Sequence, residues 1–516
     1  MRYLERSGFW IALGFLSMFI LWFLSWRFQT NDDVIMMWLV SGAYTGVPEP
    51  YAVFIHPSLS LCLSVLYDHF PRFNWYGFFW FLFLFFAYTG LILTIFKAIK
   101  PELRIIFCTL IFVISIHFCL FPQFTLVAGW CMISALLLLF SEGGSRKDTG
   151  LQLFGFVLLV IGLLVRIESC ILVFIGWIVF QVFSNGMRTL SKNLPRYALI
   201  ILFIGLAFGS KLIYEKKNVD KEFLAFNKAR SSVIDHPGFY HLSRNKGIEK
   251  GTDWKYFSRW FMDDLDLSVE ELEAKKDELD QLIFSKNSFK NSILRLWIIG
   301  KTELFKVFIS SVIILLFLVM RKNWKLSSGA VLWILFFLLM NHFFLLQGRV
   351  QVLFALVFLF PMLMPGSRFK WNLPTKWIGF VLLGLLCLHF INTRMEAKER
   401  HLMNQEFFNL LSENNGEDPV FTEGYMEYHF EHVYHKDSLA PVISFGWISN
   451  SEFQSKALRI RNISSMRNLD SFHLFQAKSK EPPIFPDYVS FLNGKLYLQK
   501  IEKGQYFNFY EYSKVQ

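Results

Sequence analysis

The chain is 516 residues long, 54% hydrophobic and 18% aromatic, with only 18% charged residues, against about 25% charged in soluble domains. That balance excludes an ordinary water-soluble enzyme and identifies a polytopic membrane protein. The net charge of +11 does not point to nucleic acid, because the basic residues fall mostly in short breaks between apolar runs, where they set topology and meet anionic lipid headgroups.

A spanning helix needs roughly 20 apolar residues, and on that rule spans are expected near 8–26, 75–96, 104–121, 124–140, 150–166, 168–184, 196–213, 302–320, 327–346, 350–365 and 376–392. The first follows Arg2 and Arg6 and carries no A-x-A cleavage site, so it reads as a retained signal-anchor. Pro122 and the Arg166-Ile167-Glu168 triplet split two long apolar runs into pairs of spans, since proline breaks a helix and charge is costly in hydrocarbon. About eleven spans result. Alternate connections then hold Lys97, Lys100 and Arg104; Arg146 and Lys147; Arg188, Lys192 and Arg196; Arg321, Lys322 and Lys325; and Arg368, Lys370 and Lys376. The other short connections hold only Arg166 and Arg349. The alternation predicts a plasma (inner) membrane protein with a cytoplasmic N-terminus and the C-terminus outside.

The sequence divides into a membrane domain, 1–392, with outer loops 27–74 and 214–300, and a soluble C-terminal α/β domain, 393–516, on the outer side. The first loop carries Asn31-Asp32-Asp33-Val34, then Gly46-Val47-Pro48-Glu49-Pro50 and Phe54-Ile55-His56-Pro57, whose turn residues keep it from being another span. The second loop has a capping box at Ser268-Val269-Glu270-Glu271. In the C-terminal segment a helix is expected at 394–412, strands at 420–422, 442–445, 473–475, 495–499 and 506–512, and helical patterning at 451–460. The six cysteines lie in or beside apolar runs with no CxxC spacing, which argues against a disulfide framework or a zinc site.

Two adjacent carboxylates, Asp32 and Asp33, at the outer end of the first span can serve as a general base, bind a divalent cation, or cap the next helix. Arg349 and Arg166 sit in very short outer turns, where a guanidinium suits bidentate phosphate recognition; Glu168 is the competing partner of Arg166. In the second loop, Arg230 follows Asn227 at helical spacing, and Asp235 and His236 follow it, as a further anion- and sugar-binding group. Asp263, Asp264 and Asp266 read as solvated or capping residues. His342 and Asn341 read as interior hydrogen-bonding groups, and Asn462-Ile463-Ser464 as a chance sequon. No P-loop, GxSxG, HExxH or dinucleotide motif is present.

The acidic Asp32-Asp33 motif in the first outer loop, the Thr45-Gly46-Val47-Pro48 and Phe54-Ile55-His56-Pro57 runs, the Asn227-Lys228-Ala229-Arg230 helix, the outward arginines and the soluble C-terminal segment together resemble the GT-C class of integral membrane glycosyltransferases, in a poorly characterised bacterial branch. The resemblance covers the architecture of the whole chain and one short motif. It implies a polyprenyl-phosphate-linked sugar donor, a cell-envelope glycan or lipid acceptor, and surrounding membrane lipids. It implies Asp32, with Asp33 as alternative, as the catalytic base; Arg349, Arg230 and Arg166 on the donor phosphate; and His56, Asn227 and His236 on substrate. Inversion at the anomeric carbon is the expected outcome. Some members hold a divalent cation at the acidic motif; no full ligand set is visible here, and the metal stays open. Two other readings remain: an envelope polysaccharide polymerase or ligase, which would not need Asp32 and Asp33, and a glycolipid transporter or flippase, which would show inverted repeats.

Overall fold

The computed structural model describes residues 6–141, 146–244, 252–320, 324–364, 375–414, 418–430 and 432–514. Its longer helices are α1 (Ser7–Trp22), α2 (Asn31–Ser41), α3 (Pro57–His69), α4 (Trp75–Ala98), α5 (Pro101–Leu120), α6 (Phe124–Leu139), α7 (Arg146–Val165), α8 (Ile167–Asn185), α9 (Leu194–Asn218), α10 (Lys221–Ile234), α11 (Val269–Leu282), α12 (Lys286–Thr302), α13 (Leu304–Met320), α14 (Trp324–Phe343), α15 (Gly348–Leu356), α16 (Thr375–Glu413), α17 (Glu452–Ile460) and α18 (Phe485–Asn493). Each predicted span falls on a helix. Among the described residues seven helices are long and apolar enough to cross a membrane, and an eighth span results if α12 and α13, bent by 107° at Glu303, count as one. The apolar helices Ser7–Trp22, Phe124–Leu139 and Gly348–Leu363 are shorter. Arg2, Arg321, Lys322, Arg368 and Lys370 lie outside the described residues.

Local chemistry explains the breaks. Asn74 accepts from the Gly77 amide to start α4, and Gln123 accepts from the Leu126 amide to start α6 directly after Pro122, each satisfying an amide that the first helical turn leaves without a partner. Gly42 ends α2 in the left-handed region, at φ 80°. A Cβ there would lie 2.7 Å from the Val47 carbonyl carbon, so only glycine permits the chain to fold back on itself. In the second loop the capping box forms as predicted, with Ser268 and Glu271 each accepting the other's amide. Helix α12 leaves Phe289, Ile293, Leu294 and Trp297 exposed beside Lys286, Lys290 and Lys301, the pattern of a helix lying in a membrane surface.

The predicted last span and the helix after it are one element. Nothing between Ile391 and Met395 breaks a helix, and α16 runs for 39 residues, about 58 Å at 1.5 Å per residue. That is nearly twice the hydrocarbon thickness of about 30 Å, so its second half stands clear of the bilayer. There Phe407 packs on Phe475 at 4.3 Å between ring centroids. The C-terminal sheet has the order β1-β2-β4-β3, with β1 (Val420–Glu423) parallel to β2 (Ser471–Ala477) and a hairpin of β3 (Tyr497–Lys503) and β4 (Phe507–Ser513). Side-chain alternation along β2 puts Phe475 on the α16 face and Phe472 on the face covered by Phe485 of α18. The expected strand at 442–445 is instead irregular, tied to β1 by one bond from the Ile443 amide to the Val420 carbonyl.

Composition changes at residue 393, but packing does not. Trp447, Ile448 and Phe453 belong to the same buried core as Trp38, Tyr44 and the span residues, and Tyr256 and Phe261 of the second loop complete the core beneath Phe485. A polar network ties the three segments: Asp263 accepts from the Ser449 hydroxyl, the Asn450 amide and the Gln454 side chain, and Gln454 accepts from Tyr44 at 2.6 Å. Asp263 is therefore buried, contrary to the solvated role read from its acidic neighbours, and burial pushes its carboxyl up to about 6. Asp264 and Asp266 instead hold Arg467, through a main-chain carbonyl and a carboxylate respectively.

Candidate functional site

Helix α2 presents its two carboxylates in different directions, because successive residues on a helix are rotated by about 100°. Asp33 is fully buried. Its Oδ1 accepts from the Trp80 indole at 2.9 Å, the Tyr76 hydroxyl at 3.1 Å and the Phe124 amide at 3.2 Å, and its Oδ2 from Thr30 at 3.0 Å. Burial raises it from an ordinary 3.8 to about 7, against the pull of those donors. Asp32 is half-buried and faces the loop side: Oδ2 meets Arg349 Nη1 at 3.2 Å and Oδ1 accepts from the Trp447 indole at 3.1 Å.

Phe124, the residue whose amide holds Asp33, also organises the cations. Its ring stacks on Phe54 with centroids 5.9 Å apart, and the guanidinium groups of Arg166 and Arg349 lie over it at 4.9 and 5.7 Å. Arg166 also ion-pairs with Glu168 at 3.0 Å. Trp447 meets Phe54 edge-on at 4.9 Å, so this residue of the C-terminal segment closes over both the carboxylate and the aromatic plate. Arg230 is buried; two of its nitrogens donate to Asn227 Oδ1 at 3.1 and 2.7 Å, and it lies over Trp260 at 5.7 Å. Burial lowers Arg230 to about 10, opposed by the negative charges of Asp235 and Asp32. Asp235 is raised by burial, opposed by Arg230 and then Arg349. These interactions bring Asp32, Arg349, Arg166, Arg230 and Asp235 into one electrostatic neighbourhood, with Asn227 orienting Arg230.

Two predicted substrate residues do other work. His56 accepts the Ser58 amide through Nδ1, capping α3, and its Nε2 meets Ser210 at 3.0 Å on α9. His236 accepts the Gly238 amide and turns its other nitrogen to Asp280 at 3.3 Å. Both rings are spent on the scaffold. Trp447 carried no motif and was not predicted. Glu427, raised by burial and facing the negative charge of Asp32, was also missed.

Two donors, the Arg349 guanidinium and the Trp447 indole, meet the Asp32 oxygens, and among the described residues no three His, Cys, Asp or Glu side chains converge as a ligand set. An apolar cavity of about 300 Å³ between α13, α14 and α15 is lined by Trp333, Ile334, Phe337 and Phe354, with Gly348, Glu303 and Lys306 at its polar end. Gly348 precedes Arg349, so this cavity ends one residue from the cation that holds Asp32.

No family model and no curated protein match this chain. Two solved structures do. They are crystal structures of ArnT from Cupriavidus metallidurans, one bound to undecaprenyl phosphate and one in the apo state. Each is 12% identical and covers 97% of this chain, with 98% and 97% of its own chain matched and TM-scores of 0.42 and 0.41.

Proposed function

We propose that this chain is a membrane glycosyltransferase that moves a sugar from a polyprenyl-phosphate donor to a glycan or lipid acceptor, on the outer side of the plasma membrane. One observation carries the reading: the half-buried Asp32 carboxylate is paired with the Arg349 guanidinium at the end of an apolar cavity. A base beside a phosphate-binding group, with room for a lipid chain next to it, is what this reaction needs. The donor's polyprenyl chain lies in the cavity and its phosphate meets Arg349, helped by Arg166 across the Phe124 ring and by Arg230. The acceptor hydroxyl attacks the anomeric carbon as its proton passes to Asp32. The bond from that carbon to the phosphate oxygen breaks, and the phosphate leaves as a dianion stabilised by the guanidinium groups. A single displacement of this kind inverts the anomeric centre. Asp33, boxed by four donors, holds α2 and does not meet substrate.

The test uses the purified full-length protein, a radiolabelled polyprenyl-phosphate sugar and a cell-envelope extract as acceptor. Free polyprenyl phosphate should appear only when acceptor is present, and Asp32→Asn should slow its release by about 10²–10⁴-fold, the usual worth of a general base. Movement of the intact donor across vesicles without sugar release would overturn the reading.

A further inference from the structure

A cavity of about 710 Å³ lies between the end of α1, the second half of α16 and the C-terminal segment at His432 and Tyr434. Its α16 wall runs from Ala397 to Asn409. Counted from Ile391, where the apolar run ends, that wall extends from about 9 to about 27 Å along the helix, so the cavity stands in the headgroup layer and the water beyond it, clear of the lipid chains. Among the described residues no carboxylate lines it, and the guanidinium in its wall, Arg400, is 7% exposed and donates to the Trp26 carbonyl at 3.4 Å. Burial, and then the charge of Arg400, lowers His432, which keeps that ring uncharged at neutral pH.

What the wall carries instead is neutral hydrogen-bonding groups and aromatic faces. Asn74, also 7% exposed, takes the Gly77 amide at 2.9 Å and the Tyr67 hydroxyl at 3.3 Å on its Oδ1, which leaves its amide nitrogen without a partner among the described residues. Ser25, Asn409 and Tyr434 likewise make no side-chain hydrogen bond among the described residues. A nearly buried amide with an unspent donor is rare in a folded chain and marks a place where an outside group supplies the bond. Trp22 and Trp26 stack with centroids 5.5 Å apart, both rest on Phe81 at 5.3 Å, and the Trp26 indole donates to the Trp22 carbonyl at 3.2 Å. From α16, Phe408 is braced edge-on by Phe407 at 5.2 Å yet stays 37% exposed outside the bilayer. A pyranose has an apolar C–H face that packs on an aromatic ring and a rim of hydroxyls that donate and accept, as amides and hydroxyls do. A hydrocarbon would leave the amides unpaired, and the volume lies within the roughly 300–1,000 Å³ of small-ligand sites. A file of buried rings, Trp26 on Phe28 at 5.2 Å and Phe28 on Tyr76 at 5.5 Å, runs from the cavity to Asp33, so solid core divides it from the transfer centre.

We propose that this cavity binds a neutral glycan and holds the protein on neighbouring carbohydrate at a place apart from the transfer centre; the binding stands on the cavity alone and not on the transfer reaction. Full-length protein, purified in a detergent with no sugar headgroup, is titrated with neutral hexasaccharides built from glucose, galactose, mannose or N-acetylglucosamine, and saturation-transfer NMR reads the binding. At least one of them should bind saturably. Phe408→Ala should weaken that binding about tenfold, the scale of a lost aromatic contact, Phe408→Trp should restore it, and Tyr434→Phe should weaken it several-fold; circular dichroism checks that each variant is folded. Asp32→Asn should bind as the parent does. Failure of every hexasaccharide to bind, parental affinity in both Phe408→Ala and Tyr434→Phe, or loss of binding in Asp32→Asn would overturn the proposal. Displacement of the sugar by phosphatidylethanolamine would overturn it too, by making the occupant a lipid headgroup. Hexasaccharide binding in a protein that transfers no sugar would sink the transferase reading and leave this site standing.

Discussion

Asp33 makes a prediction about stability whose sign can be worked from its surroundings. In the folded protein its carboxyl titrates near 7, against an ordinary 3.8 in the unfolded chain. Between those pH values the folded state binds the proton that the unfolded state has released, so stability falls as pH rises. The full effect, about three pH units at about 1.4 kcal/mol each, is on the order of 4 kcal/mol. Asparagine at this position cannot ionise, yet it can keep all four bonds, with its carbonyl toward Trp80, Tyr76 and Phe124 and its amide donating to Thr30. The Asp33→Asn variant should therefore match the parent near pH 4.5 and exceed it above pH 7.5, while transfer activity stays within about tenfold. Thermal unfolding in detergent across that range, followed by tryptophan fluorescence, gives the comparison. Parallel curves for the two proteins, or loss of activity by the factor expected of a general base, would refute the assignment of Asp33 to the scaffold.

Arg349→Lys keeps the charge but not the planar fork; kcat/KM for donor should drop on the order of tenfold or more, while stability changes by only about 1 kcal/mol, because a cation still faces Asp32. Trp447→Phe keeps the ring against Phe54 and removes the N–H on Asp32, so a several-fold loss of kcat with an unchanged melting temperature is expected in the same release assay. In Gly348→Ala the new Cβ would overlap the Glu303 carboxyl, driving that side chain off Lys306; activity should fall with only about 1 kcal/mol of destabilisation, and adding Glu303→Ala should restore much of it if the displaced carboxyl is the cause.

The sequence carried the elements whose cause is local. Apolar runs of spanning length, Pro122 and the Ser268–Glu271 capping box each act within a few residues, and helices and breaks occur where they act. The sequence did not carry what depends on distant partners. Asp263 looks solvated beside Asp264 and Asp266, and only the arrival of Ser449, Asn450 and Gln454 from nearly 190 residues away buries it. Val442–Phe445 has the composition of a strand, but the Phe421–Phe445 and Phe445–Phe485 ring contacts use its aromatic residue to fill a core rather than to pair in a ladder. His56 and His236 each precede a proline, a position where a side-chain acceptor for the second amide of a new helix is wanted, and both rings meet that local demand. Of the site, Arg349 could be found because a guanidinium at the very start of an apolar helix is costly without a partner; Trp447 could not, because nothing around it in sequence distinguishes it from a core residue.

The adjacency of Asp32 and Asp33 suggests a carboxylate dyad, and helix geometry is what prevents one. Two side chains one residue apart diverge by about 100°, so on α2 one carboxylate enters the bundle while its neighbour faces the loop side. Each then acquires the partners of its own compartment: indole, phenol and main-chain donors from α4 and the start of α6 for Asp33, and a guanidinium with the C-terminal indole for Asp32. Because Asp33 is bonded to the Phe124 amide, and the Phe124 ring carries Arg166 and Arg349, the buried carboxylate fixes the plate on which the two guanidinium groups rest. The acidic pair thus holds two separate sets of partners, and a helix is the local structure that keeps them apart at adjacent positions.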